Sequence, residues 1–505
     1  MGELDLSPVT RLEGHLDFTV DLSDGEVADA QSTSAMFRGF EQILSGRDPK
    51  DALVITPRIC GVCPSSHNMA SARTLDDAFN ATVPPNGQRV RNLLLGTETM
   101  MSHAAHTYVL FGPDLTNEKY SDHDAYPELV ARFEPLEGSS YKKAVKRRVD
   151  LTEIHGIFAG KRPHSTFVPA GAPVQPSIQD KAKASSLLSD VQTFLEETVL
   201  GCSVERWLAN ESVDDVLEWI DEDASHANSD VGVIIQYGPE LGLTDIGEGP
   251  GHFIAYGAYP DSTGEKWLPG GFHDGTKVHP LDQEKIKEHV KYSWYSDYEG
   301  SKHPFDGITE PEYVEEDDAY TWAKCPRYDG KVAEAGPLAR MMVDQDPLIT
   351  DIADEFGVSV FSRVLARVHE IVRLAAKSHE WIDNIDLDAP FMGTFEEPDN
   401  TDAFGLTEAA RGALGHWVQI RDGEIDKYQV VTPSAWNLSP RDYDDTPGPV
   451  EQAVIGTSVP NESNPVEVEH VIRSYDPCIA CAVHYSTPDE EFKQEIEPVP
   501  APTES

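Results

Sequence analysis

The 505-residue sequence predicts a mainly α-helical fold with small peripheral β-hairpins. Three observations carry that expectation. Apolar residues recur at helical spacing across two long stretches, 88–111 and 349–385. Alternation of apolar and polar residues is confined to two short stretches, each folded about an Asp-Gly pair. No internal repeat is visible, which argues against a solenoid or a propeller.

Taken in order, Leu16, Phe18 and Val20 alternate ahead of Asp24-Gly25 and Val27, the pattern of a hairpin, with Glu13 at its entrance. From Gln88 to Phe111, Val90, Leu93, Leu94, Thr97, Met101, Ala104, Ala105 and Tyr108 mark a long and mostly buried helix. Its two histidines, His103 and His106, are expected to be packing residues. A Pro- and Gly-rich passage from Val168 to Pro176 separates it from a further helical stretch at about 180–200. Roughly 220–330 is rich in Gly, aromatic and acidic residues without sustained period, so irregular segments and short strands are expected there. Helical pattern returns at Leu338–Met342 and strongly from Ile349 to Ile385, where Phe361, Val364, Leu365, Val368, Ile371, Val372 and Leu374 make one apolar face. Residues 416–431 alternate about Asp422-Gly423, a second hairpin.

Forty Lys and Arg against 88 Asp and Glu leave a formal net charge of -48, which excludes nucleic acid as a partner because phosphate binding needs the opposite sign. Acidic residues are spread along the chain, as in Asp214-Asp215 and Asp442-Tyr443-Asp444-Asp445. At molar salt the screening length falls to about 3 Å and their repulsion is largely removed, so adaptation to high salt is expected. The opening residues lack a basic stretch followed by an apolar run, and no window approaches about 18 uncharged apolar residues. Neither an export signal nor a membrane span is therefore expected.

Six cysteines in so long a chain do not make a disulfide scaffold. Four fall into two C-x-x-C pairs: Cys60 and Cys63, followed by His67, and Cys478 and Cys481, preceded by Asp476 and followed by His484. Each pair brings two soft sulfur donors to one side of a turn, and two pairs make a four-thiolate metal site. On spacing alone a structural zinc site is the ordinary reading. Cys202 and Cys325 are expected to be packed thiols; two could not hold an iron–sulfur cluster, which usually takes four.

The flanks point elsewhere. Arg58-x-Cys60-Gly61-x-Cys63-x-x-x-His67 and Asp476-Pro477-Cys478-x-x-Cys481-x-x-His484 resemble the two signature motifs of the large subunit of nickel-iron hydrogenases. Arg11-Leu12-Glu13-Gly14-His15, Met36 to Glu41, Gly336-Pro337-Leu338-Ala339-Arg340 and Ala435-Trp436-Asn437 are similar to further blocks of that family, in family order. The resemblance implies one intertwined helical bundle over 1–484 with a buried metal site, and a C-terminal extension, 485–505, removed on maturation. It implies reversible heterolytic oxidation of H2 to protons and electrons.

By the same resemblance Cys60 and Cys478 would be terminal nickel ligands, with Cys63 and Cys481 bridging to an iron that carries cyanide and carbon monoxide. Thiolates suit metals that cycle through redox states zinc cannot reach. Glu13 would pass protons to and from Cys478, and Arg411 would lie over the open metal position, paired with Asp476. Ser434 would donate to a cyanide, and His67 to a ligand sulfur. Glu41 and His484 would hold a separate hard cation, usually magnesium, with water and a backbone carbonyl such as that of Val430. The implied partners are an iron–sulfur small subunit, a maturation endopeptidase, nickel-insertion factors and, through the complex, a membrane cytochrome b. A membrane-associated uptake enzyme fits best, a soluble cofactor-reducing hydrogenase being the alternative. A metal-stabilised structural scaffold related to quinone-reductase subunits is the alternative of another class, although such a subunit is expected to lack these cysteines. Two positions depart from many relatives: Ala410 stands where Pro precedes the arginine, and Ser102 where an Asp is common.

Overall fold

The computed structural model describes residues 2–164, 167–314 and 318–482, with the side chains of Cys481 and Ala482 outside that description. Two long helices form its axis. Helix α3 (Pro85–Ala105) is buried along almost its whole length, its leucines and methionines packed in the core and its polar residues, among them Arg91, Glu98 and His103, buried with hydrogen-bond partners. It packs against α8 (Val360–Asp383) on one side and α4 (Ser139–Ala159) on another, and α4 in turn carries α5 (Ile178–Phe194). The predicted helix of 88–111 is α3 continued by a π-helical turn, His106–Phe111.

The stretch from Ile349 to Ile385, read above as one helical run, is two helices. Helix α7 (Pro347–Phe356) stops at Gly357, whose φ of 73° no helix accepts, and α8 restarts on a Ser359–Ser362 capping box. Ahead of them α6 (Pro337–Asp344) corresponds to the expected turn of helix at 338–342. From Phe253 to Tyr328 the chain holds short strands of three or four residues in small sheets, as expected from its lack of period, but Asp230–Tyr237, within the stretch expected to be irregular, is an α-helix that buries Val231, Val233 and Ile234.

Each expected hairpin is two-thirds of a three-stranded antiparallel sheet. β1 (Gly2–Leu6) adds to the hairpin of β2 (Leu16–Ser23) and β3 (Glu26–Ser34). β4 (Thr401–Ala409) adds to β5 (Gly412–Arg421) and β6 (Glu424–Val431). This second sheet is not peripheral: β5 is buried over nearly all its length, because α2 (Pro64–Ala78) packs across β4 and β5. Gly405 makes that approach possible, for a Cβ there would sit 2.4 Å from the backbone nitrogen of Thr74. Among the described residues no helix is long and apolar enough to cross a membrane.

Candidate metal centre

The two cysteine motifs, far apart in sequence, meet at the centre of the fold. Cys60, Cys63 and Cys478 form one buried cluster, at 0%, 2% and 0% exposure. The sulfurs of Cys60 and Cys478 lie 3.4 Å apart, and the Cys63 amide donates to the Cys60 sulfur at 3.2 Å.

Three ties hold the second motif in place. The amide of Ile479 donates to the Glu13 carbonyl at 2.7 Å, within a parallel bridge between Glu13 and Cys478. Gly14, at φ +92°, lets the strands approach: a Cβ there would lie 2.9 Å from the Ala480 nitrogen. The guanidinium of Arg38 donates both to the Ile59 carbonyl of the first motif and, at 2.6 Å, to the Ala480 carbonyl of the second. Ser434, on the short helix α9 (Pro433–Asn437) capped by Thr432, accepts the Cys478 amide at 3.1 Å.

Arg411 and Asp476 form a buried pair beside the sulfurs. Arg411 Nη2 lies 2.8 Å from Asp476 Oδ1, its Nε donates to the Asp476 carbonyl at 2.8 Å, and its Nη1 reaches Ser102 Oγ at 3.3 Å. Burial works against the Arg411 charge, but Asp476 and then Cys478, Cys63 and Cys60 outweigh it and hold the guanidinium pKa well above its ordinary value. Burial likewise opposes ionisation of Asp476, and Arg411, His106 and Arg367 overcome it, so this carboxyl is lowered. Ser102 therefore supplies a neutral acceptor in place of a second carboxylate.

The loop that presents Arg411 is set by Arg340. That side chain pairs with Glu370 at 2.5 Å and Glu408 at 2.9 Å, and donates to the carbonyls of Ala409 and Ala410, each at 2.9 Å. His103 completes the network through Glu370 at 2.7 Å, and His106 bonds the Arg473 carbonyl at 2.6 Å, so both are core histidines as expected.

Glu13 is half-buried. Its carboxyl pKa is raised, first by burial and then by the neighbouring Cys60, with Arg411 and Arg38 pulling the other way. A Cβ on Gly61 would lie 3.8 Å from Glu13 Oε1, so the carboxylate reaches over the first cysteine loop.

His67 is buried with its pKa lowered to about 4 by desolvation, and its Nδ1 meets His416 Nε2 at 3.3 Å. Glu41 accepts the Val430 amide at 2.8 Å and the Thr309 hydroxyl, with Lys324 Nζ at 3.4 Å. His484 and the Cys481 side chain lie outside the described residues.

Arg38, Arg340, His416 and Lys324 were given no role in the sequence reading. Arg38 and Arg340 stand inside motif blocks, which was a usable signal. His416 and Lys324 sit in strand and loop contexts that carry none.

Among the described residues no group of three His, Cys, Asp or Glu side chains closes into a metal-binding set. The fit to a metal rests on the sulfurs. A separation of 3.4 Å is the chord two thiolates subtend at a metal about 2.3 Å from each at an angle of about 95°. The donors are soft, buried and flanked by guanidinium charge, which suits a thiolate-bound redox metal.

A helical fold that brings Cys60, Cys63 and Cys478 into one buried cluster, with a carboxyl and an arginine–carboxylate pair at its edge, has the donor set of a thiolate metalloenzyme. Residues 38–118 and 115–484 match the family model described as nickel-dependent hydrogenase, and residues 3–33 match one described as HoxL-like. The chain belongs to the nickel-dependent hydrogenase family. It is 33% identical over 520 residues to the periplasmic [NiFeSe] hydrogenase large subunit of Desulfomicrobium baculatum, covering 95% of each chain. To the uptake hydrogenase large subunit of Rhizobium leguminosarum bv. viciae it is 28% identical over 589 residues, covering 96% of this chain and 95% of the relative. The solved structure of H2-activated Dm. baculatum [NiFeSe]-hydrogenase superposes with a TM-score of 0.83 at 32% identity, over 96% of this chain and 100% of that one.

Proposed function

We propose that this chain is the catalytic large subunit of a nickel-iron hydrogenase and splits H2 heterolytically into protons and electrons. The observation that carries the reading is the buried meeting of Cys60 and Cys478 beside the Arg411–Asp476 pair, in a chain of that family. Cys60, Cys63, Cys478 and Cys481 would hold the nickel-iron centre, whose chemistry when bound is to polarise H2 and take up its electrons. Cyanide and carbon monoxide on the iron are part of the proposal, with Ser434 beside one cyanide and His67 supporting a ligand sulfur.

The protein's own share is proton handling and charge. Glu13, neutral more readily than an ordinary carboxyl, receives a proton from the thiol of Cys478 and releases it outward. Arg411 keeps a fixed positive charge against the reacting face, and Asp476 holds that guanidinium in orientation through two bonds. Glu13→Gln keeps size but cannot titrate. It should assemble the centre while slowing hydrogen–deuterium exchange by about 10²-fold or more; wild-type exchange in a metal-replete variant would move the relay to another group.

Electrons leave through an iron–sulfur small subunit, since this chain has too few remaining cysteines for a cluster. We read the complex as an uptake enzyme, membrane-associated through a cytochrome b, in a salt-adapted cell; similarity to the Rhizobium uptake subunit and the charge of -48 support these two points. Glu41 and His484 are assigned a hard cation such as magnesium. Lys324 stands against the same Glu41 side chain at 3.4 Å. The single domain spans 1–484, and an endopeptidase acting after nickel insertion removes 485–505. Mass spectrometry of the nickel-containing subunit should find a C-terminus at His484.

Metal analysis with infrared spectroscopy tests the whole reading. Nickel and iron with cyanide and carbon monoxide bands are expected, all lost in Cys478→Ser. Zinc without nickel would return the cysteines to a structural site.

A further inference from the structure

Helix α2 begins directly after Cys63, which occupies its N-cap position with φ −119° and ψ 46°. An N-cap side chain normally accepts the orphan amides of the second and third helical residues. Cys63 makes no such bond; on the reading above its sulfur faces the metal. Pro64, at the first helical position, has no amide to satisfy. The remaining orphans are the amides of Ser65 and Ser66.

A residue 33 positions away takes them. Glu98, in the middle of α3 and wholly buried, accepts the Ser65 amide on Oε2 at 2.9 Å, and the Ser66 amide on Oε1 at 2.7 Å. The Ser66 hydroxyl adds a third bond at 2.8 Å. Arg162 faces the same group from the other side: its Nη2 lies 3.8 Å from Glu98 Oε2 and donates to the Val62 carbonyl at 2.7 Å. His155 steadies the arrangement, with Nδ1 at 3.4 Å from Ser65 Oγ and Nε2 at 3.0 Å from Thr97 Oγ1. One acid and one base from elsewhere in the fold thus grip residues 62–66, the segment around Cys63. A carboxylate is suited to this end of a helix, where the backbone dipoles favour negative charge.

We propose that Glu98 is a positioning residue for the metal centre: it caps α2 in place of Cys63 and, with Arg162, fixes the first cysteine loop. The proposal rests on the reading of Cys60 and Cys63 as metal ligands. Glutamine cannot substitute. It keeps one acceptor oxygen, turns an NH2 group toward a peptide N–H, and leaves Arg162 without its counter-charge.

Amide hydrogen exchange on the full chain in its assembled complex reads the cap directly. In the wild type, Ser65 and Ser66 should be protected as strongly as the interior of α2. Exchange typical of a fraying terminus at these two amides would overturn the proposal without any variant. In Glu98→Gln both amides should exchange at least about tenfold faster, and the infrared bands of the iron ligands should shift. Glu98→Asp, which keeps the charge on a shorter arm, should restore part of both. Wild-type protection and unshifted bands in Glu98→Gln would also overturn it. Zinc in place of nickel in the wild type would remove the metal reading, while the exchange rates would still decide whether Glu98 is the cap.

Discussion

Gly14→Ala tests how tightly the beginning of the chain must clasp its end. An alanine Cβ at this position would lie 2.9 Å from both the Ala480 nitrogen and the Ile479 Cβ, and 3.3 Å from the Ile479 carbonyl carbon. Carbon contacts are comfortable at about 3.5–4.0 Å, so the methyl intrudes by more than half an ångström on a backbone that cannot rotate aside. The φ of +92° adds about 1–2 kcal/mol for a residue with a Cβ. Relief requires the 479–480 segment to move, and that gives up the Ile479 amide bond to Glu13, worth about 0.5–1.5 kcal/mol. The sum of these two terms, about 1.5–3.5 kcal/mol, falls on the strap that carries Cys478, and corresponds to roughly 10- to 300-fold in its closed population. The helices are untouched, so the variant should fold with little nickel bound and with the Ile479 amide exchanging rapidly. Gly156→Ala is the control: no atom lies within 4 Å of its Cβ on the exposed side of α4, and it should stabilise by about 0.5–1 kcal/mol. Full nickel content and a protected Ile479 amide in Gly14→Ala would refute the reasoning.

Other expectations follow from the buried charges. Asp476→Asn leaves Arg411 without its carboxylate and should destabilise the folded chain by about 3–5 kcal/mol, read by denaturant unfolding; a loss under about 1 kcal/mol would mean water already shares that charge. Burial lowers the pKa of His155 from 6.5 to about 3, so the folded chain refuses a proton the unfolded chain accepts. Its contribution is complete above about 6.5 and is lost as pH falls toward 3. In His155→Gln, stability should therefore depend less on pH between about 6 and 4, by about 1.4 kcal/mol per unit, and an unchanged slope would exclude a neutral buried ring. The melting temperature of the assembled complex should rise steadily between about 0.1 and 1 M KCl as the acidic surface is screened; a flat or falling profile would count against salt adaptation.

What could be read from the sequence was whatever repeats locally or sits in a motif. Long apolar periodicity gave α3 and α8, and two Asp-Gly turns gave the β2–β3 and β5–β6 hairpins. The break at Gly357 was missed because the apolar residues of α7 and α8 stay in phase across it, and a single glycine is a weak stop signal. Both third strands, β1 and β4, were missed since their partners are chosen by tertiary contact. At the site, Cys60, Cys63 and Cys478 could be placed from spacing and flanks, and the Arg411–Asp476 pair from resemblance. Glu98 could not, for nothing in Thr97-Glu98-Thr99 announces that its partners are amides 32 and 33 residues earlier.

The bond between the Glu13 carbonyl and the Ile479 amide, and the sulfur contact across 418 residues, set a timetable for synthesis. Cys60 leaves the ribosome 418 residues ahead of Cys478. At about 5–20 residues per second the first thiol pair waits about 20–80 s for its counterpart. The order of events is therefore written into the topology: the two sulfurs meet only after the segment that carries Cys478 has been made, and the Arg38 and Gly14 contacts then hold that segment in place.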